Sequence, residues 1–402
     1  MLITALLKKK TLIIVGLNSG TSADGVDLAA LKFTGIGVDL KVSLLAAKKK
    51  AYPPDIAKLI IETSLADKIS PYRLIYLDNL LGRYYGQVTR SFISRLKGDG
   101  IGVDVVASHG QTVRHLPRKL PYGRRYGSGT LQLGSLEQIA AATGLVTVGD
   151  FRQADIALGR EGAPITTSAV VRLFARPNES RLLVNIGGIA NYFYLPRKNS
   201  SFRIQAADCG PGNSLLDLLA GKLFREKFDK NGRRARQGNI SARLLSLLLS
   251  QPFFKQDRIS TGREEFGPAL VDKIVDFGNR IKLRGEDMMA TAAELTVLGI
   301  LEKIRPLVQK DQNLTKLYLT GGGEKNMFIK SRLGRYLPDM SIESVKALGV
   351  SPDFVEAASY AVLGHACLRG EPSRTDYRGG LASRIQPVLG KIVQPPGMIK
   401  NG

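Results

Sequence analysis

The chain has 402 residues, with 58 Lys+Arg against 35 Asp+Glu and a formal net charge of +23. Its 44% hydrophobic and 23% charged residues are those of a globular protein that buries a large core in two or three domains. The apolar runs are far short of the roughly 20 residues of a membrane span, and two cysteines and three histidines exclude a disulfide framework, a zinc site and most histidine-rich metal chemistry.

Residues 1–10 place apolar residues before basic ones, the reverse of a secretory signal. A reducing, cytosolic setting is expected. The charge invites a nucleic-acid reading. However, the basic clusters at 8–10, 48–50, 118–125 and 233–236 are short and scattered, and no zinc-finger spacing or RRM signature accompanies them. A solvated basic surface with no specific nucleic-acid partner and no membrane partner is the expectation.

In chain order, TLIIVGLN (11–18) reads as a strand that stops at the polar turn SGTSADG (19–25). Strands at 26–33 and 38–47 follow. Prolines 53 and 71 open helices, the second amphipathic to residue 97. VDVVASHG (103–110) reads as a buried strand ending in a polar cluster. A helix at 133–144 with a glycine stop leads to a strand at 145–150. The plan then returns. RLLVNIGG (181–188) is a strand into a glycine turn, NYFYL leads outward, and FRIQAADCGPGN (202–213) delivers Asp208 into a Gly-Pro-Gly turn before a helix. Residues 241–307 read as mainly helical, LYLTGGGEKN (317–326) as strand and triple-glycine turn, and 351–370 as an alanine-rich helix. Two weak copies of one α/β plan suggest a ligand held in a cleft between them.

No P-loop, dinucleotide fingerprint, HExxH or GxSxG elbow is present. The turn 18–27 carries other phosphate-binding equipment. Gly20 and Gly25 admit close backbone approach, Thr21 and Ser22 offer hydroxyls, and Asp24 and Asp27 can hold magnesium through water. An ordinary hairpin turn has the same composition. The further turns IGGIAN and TGGGEKN favour a nucleotide gripped from both halves. Asp208 is the sharpest candidate for chemistry, at a strand end before a helix N-terminus that favours anions; a helix cap is the alternative. Asp150, Arg152 and Asp155 form a D-F-R-x-x-D cluster, either a salt bridge or a substrate contact. His109 lies at another strand end. Glu356 is either a surface acid or a site group.

Taken together, GLNSGTSADGVD, SHGQTVRH, GDFR-x-x-D, GAP (162–164), NIGGIAN, DCGPGNSLLD, STGRE (260–264), GGGEKN and the final P-x-x-x-E helix resemble the anhydro-N-acetylmuramic acid kinase family, from about residue 15 to 395. The resemblance implies a two-domain actin-like ATPase (sugar kinase) fold with an interdomain active-site cleft, built from residues 1–148 plus 346–402 and 149–345. It implies ATP and magnesium as cofactors and an amino sugar as substrate. The reaction it implies has water open a 1,6-anhydro ring while the freed 6-oxygen takes the γ-phosphate, in peptidoglycan recycling. By position, the phosphate loop falls on Gly20, Thr21, Ser22, Ala23, Asp24, Gly25, Val26 and Asp27, and the catalytic base on Asp208. Substrate contacts fall on His109, Asp150, Arg152 and Glu356, and further nucleotide contacts on Gly187, Gly188, Gly321, Gly322 and Gly323. Asn18 and Ala23 replace the family's usual Met and larger apolar residue, Arg160–Glu161 its Gly-Gln, and 233–236 is unusually basic. A kinase for another sugar and a non-enzymatic ATP-driven switch are the alternatives, and a homodimer is left open.

Overall fold

The computed structural model describes residues 2–397 except 21, 36–39, 67, 117–127, 256–264 and 374–384. Thr21, the basic cluster at 118–125 and the STGRE motif therefore lie outside the described residues. Two compact units divide the chain. Among the described residues, one takes everything up to Leu173 and from Phe354 onward, and the other takes Phe174–Asp353.

The first unit is built on β1 (Thr11–Ser19), β2 (Gly25–Thr34), β3 (Lys41–Ala51), β4 (Val105–Leu116), β5 (Gly129–Leu133) and β6 (Val146–Gly149). β1, β2 and β3 form an antiparallel meander, and β4 and β6 then add in parallel, giving the order β3-β2-β1-β4-β6. β1 is rich in β-branched residues and buried along most of its length, as a central strand covered on both faces should be. The helix Val355–Leu368 is buried at almost every position and approaches the sheet through small residues. A Cβ on Gly16 would lie 1.9 Å from the Ala357 carbonyl, and one on Gly364 would lie 2.6 Å from the Ala107 methyl.

The second unit is built on β7 (Arg181–Ile186), β8 (Ile189–Leu195), β9 (Gln205–Pro211), β10 (Lys316–Thr320) and β11 (Ser341–Ser344). Its order is β9-β8-β7-β10-β11, again an antiparallel meander followed by two parallel strands. The helix Gly285–Lys310, buried continuously from Met288 to Val297, fills its core. A last short strand, β12 (Lys391–Val393), returns to pair antiparallel with β6. Both sheets follow one plan, strands 3-2-1-4-5, and this duplication is the actin-like ATPase fold. No described helix is long and apolar enough to cross a membrane.

Two expectations change. The units divide at 173/174 and 353/354 instead of at 148/149 and 345/346; residues 150–173 hydrogen-bond back to the first sheet, Arg152 to His109 on β4 and the Gln153 amide to the Thr130 carbonyl on β5. β4 also runs on to Leu116 instead of ending at residue 110, because β5 pairs with it over 111–116. His109 therefore sits inside a strand.

Candidate active site

The β1–β2 turn closes on itself. The Ala23 N–H donates to the Gly20 carbonyl at 3.1 Å, with Ala23 at φ 51°. Among the described residues, a Cβ on Gly20 would meet only the Ser22 hydroxyl, at 3.7 Å, so Gly20 faces outward. Gly25 does not: a Cβ there would lie 2.4 Å from the Lys50 carbonyl. Ala23 and Val26 are buried. Of the expected loop residues, then, Gly20, Ser22 and Asp24 are presented outward, while Ala23, Gly25 and Val26 seat the turn on β3.

Asp24 and Asp27 converge on one cation. The Lys49 ammonium lies 2.7 Å from the Asp24 carboxylate and 3.9 Å from that of Asp27. Desolvation works to raise the Asp24 pKa, but the hydrogen bonds from Lys49 and Ser22 outweigh it and hold the carboxyl below its ordinary value. A carboxylate pair already neutralised by a lysine does not fit the expected magnesium ligands, and the described residues contain no group of three His, Cys, Asp or Glu side chains able to hold a metal.

His109, Arg152 and Glu356 form one cluster in the first unit. Arg152 Nε donates to His109 Nε2 at 3.0 Å, and its Nη1 donates to the Gly162 carbonyl at 2.8 Å. Nε2 is thus an acceptor, and His109 Nδ1 carries the proton toward the Gly110 carbonyl at 3.1 Å. Burial first, and the Arg152 charge second, push the His109 pKa well below its usual value. The imidazole is a neutral support for Arg152, not a proton carrier. Its ring stacks on Tyr360 at 4.5 Å, and Tyr360 stacks in turn on Phe151 at 5.7 Å.

Glu356 is reached by solvent yet crowded by protein. Desolvation raises its pKa, partly offset by a hydrogen bond from Asn18 Nδ2 at 2.7 Å and by the Arg152 charge. Asp150 stands apart from this cluster, its carboxylate 3.5 Å from Lys391 on β12. Asp155 is buried and structural, accepting the Gly162 N–H at 2.9 Å, with the unusual Arg160 3.4 Å away.

In the second unit, Asp208 lies within β9, not at its end, and the strand is bulged there. Ala190 pairs with Gly210 and Asn191 with Asp208, which leaves Cys209 as the extra residue. Bulges of this kind re-aim a neighbouring side chain. Gly299 makes the room, since a Cβ there would lie 2.2 Å from the Cys209 carbonyl. The following helix, Asn213–Phe224, does not offer its N-terminus to an anion as expected. The Gly212, Asn213 and Ser214 N–H groups donate to the Gly187 and Gly188 carbonyls at 3.1, 2.7 and 3.2 Å. The Asn213 amide bonds the Ile186 carbonyl at 2.9 Å and lies 3.2 Å from where a Gly322 Cβ would be. The turns at 187–188, 210–213 and 321–323 therefore come together. Gly322 is exposed; Gly321 (φ 77°) and Gly323 are required by contacts with Asn185 and Ile186.

The family model for anhydro-N-acetylmuramic acid kinase matches residues 12–395. The chain belongs to the anhydro-N-acetylmuramic acid kinase family. Membership makes it a kinase, a phosphotransferase with an alcohol group as acceptor. An anhydro-N-acetylmuramic acid kinase of Trichormus variabilis is 36% identical over 387 residues, covering 95% of this chain and 97% of that protein. Another, from Caldanaerobacter subterraneus subsp. tengcongensis, is 32% identical over 387 residues, covering 96% and 97%. Among solved structures, the ADPNP-bound activator of the 2-hydroxyisocaproyl-CoA dehydratase from Clostridium difficile is 13% identical with a TM-score of 0.40, covering 89% and 96%.

In this family member, Tyr360 and Gly299 have no place in the sequence reading, and Asn18 and Gly162 enter it only as motif residues with no contact assigned. Tyr360 could have been found by its spacing, one helical turn after Glu356 on the same helix. The Asn18 contact spans 338 positions and has no local signal.

Proposed function

We propose that this protein phosphorylates 1,6-anhydro-N-acetylmuramic acid with ATP, opening the anhydro ring with water to give N-acetylmuramic acid 6-phosphate in peptidoglycan recycling. Asp208 takes a proton from the water as its oxygen bonds to the anomeric carbon. The bond from that carbon to the 6-oxygen breaks, the 6-oxygen attacks the γ-phosphorus, and ADP leaves. The observation that supports the base assignment is the place of Asp208 on β9 next to the bulge at Cys209, which Gly299 accommodates.

In the first unit Gly20, and in the second the turns at 187–188 and 322, are proposed as nucleotide contacts; phosphoryl transfer is positioning and charge neutralisation more than covalent chemistry. ATP would arrive with magnesium on its phosphates. Arg152, held by neutral His109 and the Gly162 carbonyl, and Glu356 are proposed to bind polar groups of the sugar, with Asp150 at the margin. The ATP requirement places the reaction in the cytoplasm.

The test is incubation with magnesium-ATP and a panel of amino sugars, read by mass spectrometry. The expected product carries one added water and one phosphoryl group on the anhydro sugar. Phosphorylation of another sugar alone, or ATP hydrolysis with no sugar product, would overturn the assignment.

A further inference from the structure

Beneath the β1–β2 turn, four buried side chains form a chain with a fixed direction. Tyr85, Tyr52 and Ser19 share hydroxyl contacts of 2.7 Å each, and the Ser19 hydroxyl meets Gln111 Oε1. Gln111 is fully buried, and its Nε2 reaches the Gly20 carbonyl at 3.3 Å and the Thr112 carbonyl at 3.2 Å. The shifted pairing of β1 with β4, which sets Ser19 opposite Gln111, creates the contact.

Donor counting orients every group. Two carbonyls face one end of the Gln111 amide, so that end is the NH2 and the other end is the oxygen. The oxygen can only accept, so Ser19 donates its proton to it. Tyr52 must then donate to Ser19, and Tyr85 to Tyr52. Burial raises the pKa of both tyrosines above the ordinary phenol value, so the chain stays protonated. It ends on the carbonyl of Gly20, the residue that faces outward at the turn.

We propose that Gln111 is a positioning residue for the phosphates of the donor: together with the Ala23 N–H, which bonds the same oxygen at 3.1 Å, it holds the Gly20 carbonyl turned into the protein and away from the anion. The inference rests on the reading that this turn takes phosphates. A carbonyl rotated outward would set a partial negative charge against them, and nothing else in the hydrogen-bond chain touches the turn's outer face.

Gln111→Glu tests this by charge at nearly constant shape. Ionised, its second oxygen faces two carbonyls and repels them; protonated, that oxygen donates to Gly20 as the amide does. Relative to wild type at each pH, the KM for ATP of Gln111→Glu should rise by about tenfold or more at pH 9 and fall back toward the wild-type value at pH 6.5. The KM for the sugar should stay within about twofold. Gln111→Met, which has no donor for the Gly20 carbonyl, should raise the KM for ATP at every pH with no such recovery. An unchanged KM for ATP in both variants, or equal losses for ATP and sugar with a fall in Tm, would overturn the proposal. Gly20→Val separates the two failures. If Gly20→Val leaves ATP affinity intact, the turn is not the phosphate site. If it weakens ATP while both other variants bind normally, only the role of Gln111 is lost.

Discussion

Asn18 at the end of β1 donates its side-chain amide to the Glu356 carboxylate at 2.7 Å, tying the first turn of the helix Val355–Leu368 to the central strand of the first sheet. This carboxyl has a pKa raised from 4.5 by desolvation despite that bond. The stability linked to it is therefore fully present below about pH 4.5 and is lost as pH rises through its folded value. Glu356→Gln keeps an acceptor for Asn18 and removes the charge. The variant should unfold at a higher temperature than wild type at pH 7–8, match it near pH 4, and turn over sugar poorly. Thermal denaturation across pH checks this, and a lower Tm at neutral pH would show that the ionised carboxylate stabilises the fold.

Glycines that look alike in sequence should behave differently. Gly20→Val meets its nearest atom only at 3.7 Å and Gly322→Val needs only a small shift of the Asn213 side-chain amide at 3.2 Å, so both should weaken ATP binding with little loss of Tm. Gly16→Ala has no room, its Cβ falling 1.9 Å from the Ala357 carbonyl. It should cost at least about 2 kcal/mol of stability by forcing the helix from the sheet. Calorimetry of ATP binding beside chemical denaturation separates the two classes.

The repeated plan is legible in the sequence because each copy opens with an apolar β-branched strand stopped by a glycine turn, as at 11–25 and 181–190. Local signals carry that much. The unit boundary is not legible, because what holds residues 150–173 to the first sheet is a set of side-chain bonds, such as Arg152 to His109, that no periodicity encodes. The glycine turns are legible as turns, but which glycines face outward is decided by neighbours distant in sequence, such as Lys50 against Gly25 and Ile186 against Gly323. The acid pair 24/27 reads as a metal site until Lys49, on the adjacent strand, is seen between them.

Acid sensitivity should come in part from His365. It is buried, stacked on Phe33 at 4.6 Å, and desolvation lowers its pKa to about 4. A histidine that stays neutral in the fold but protonates when unfolded contributes stability that is present above about pH 6.5 and is lost as pH falls toward 4. The loss is on the order of 3 kcal/mol at the limit. His109, also held neutral, acts in the same direction. His365→Gln should flatten the stability–pH curve between pH 6.5 and 4 even if it lowers stability at pH 7. An unchanged slope would mean that His365 is protonated in the fold.

Asp208 gives the decisive test of mechanism. Asn at this position keeps the size and the β8–β9 register but cannot take a proton from water. As a general base, Asp208 should be worth about 10²–10⁴-fold in kcat, so Asp208→Asn should lose that rate with the KM for ATP and the Tm nearly unchanged. A helix-capping role is already disfavoured, because Asp208 lies within β9 and the residue preceding the helix is Gly212. Gly299→Ala supplies the structural counterpart. Its Cβ would press on the Cys209 carbonyl at 2.2 Å, displacing the bulge next to Asp208. It should lower kcat together with Tm, whereas Asp208→Asn lowers kcat alone. Single-turnover kinetics on both variants, with denaturation as the control, make the distinction. A folded Asp208→Asn protein with near-normal turnover would remove this carboxylate from the chemistry and leave the bulge without a catalytic purpose.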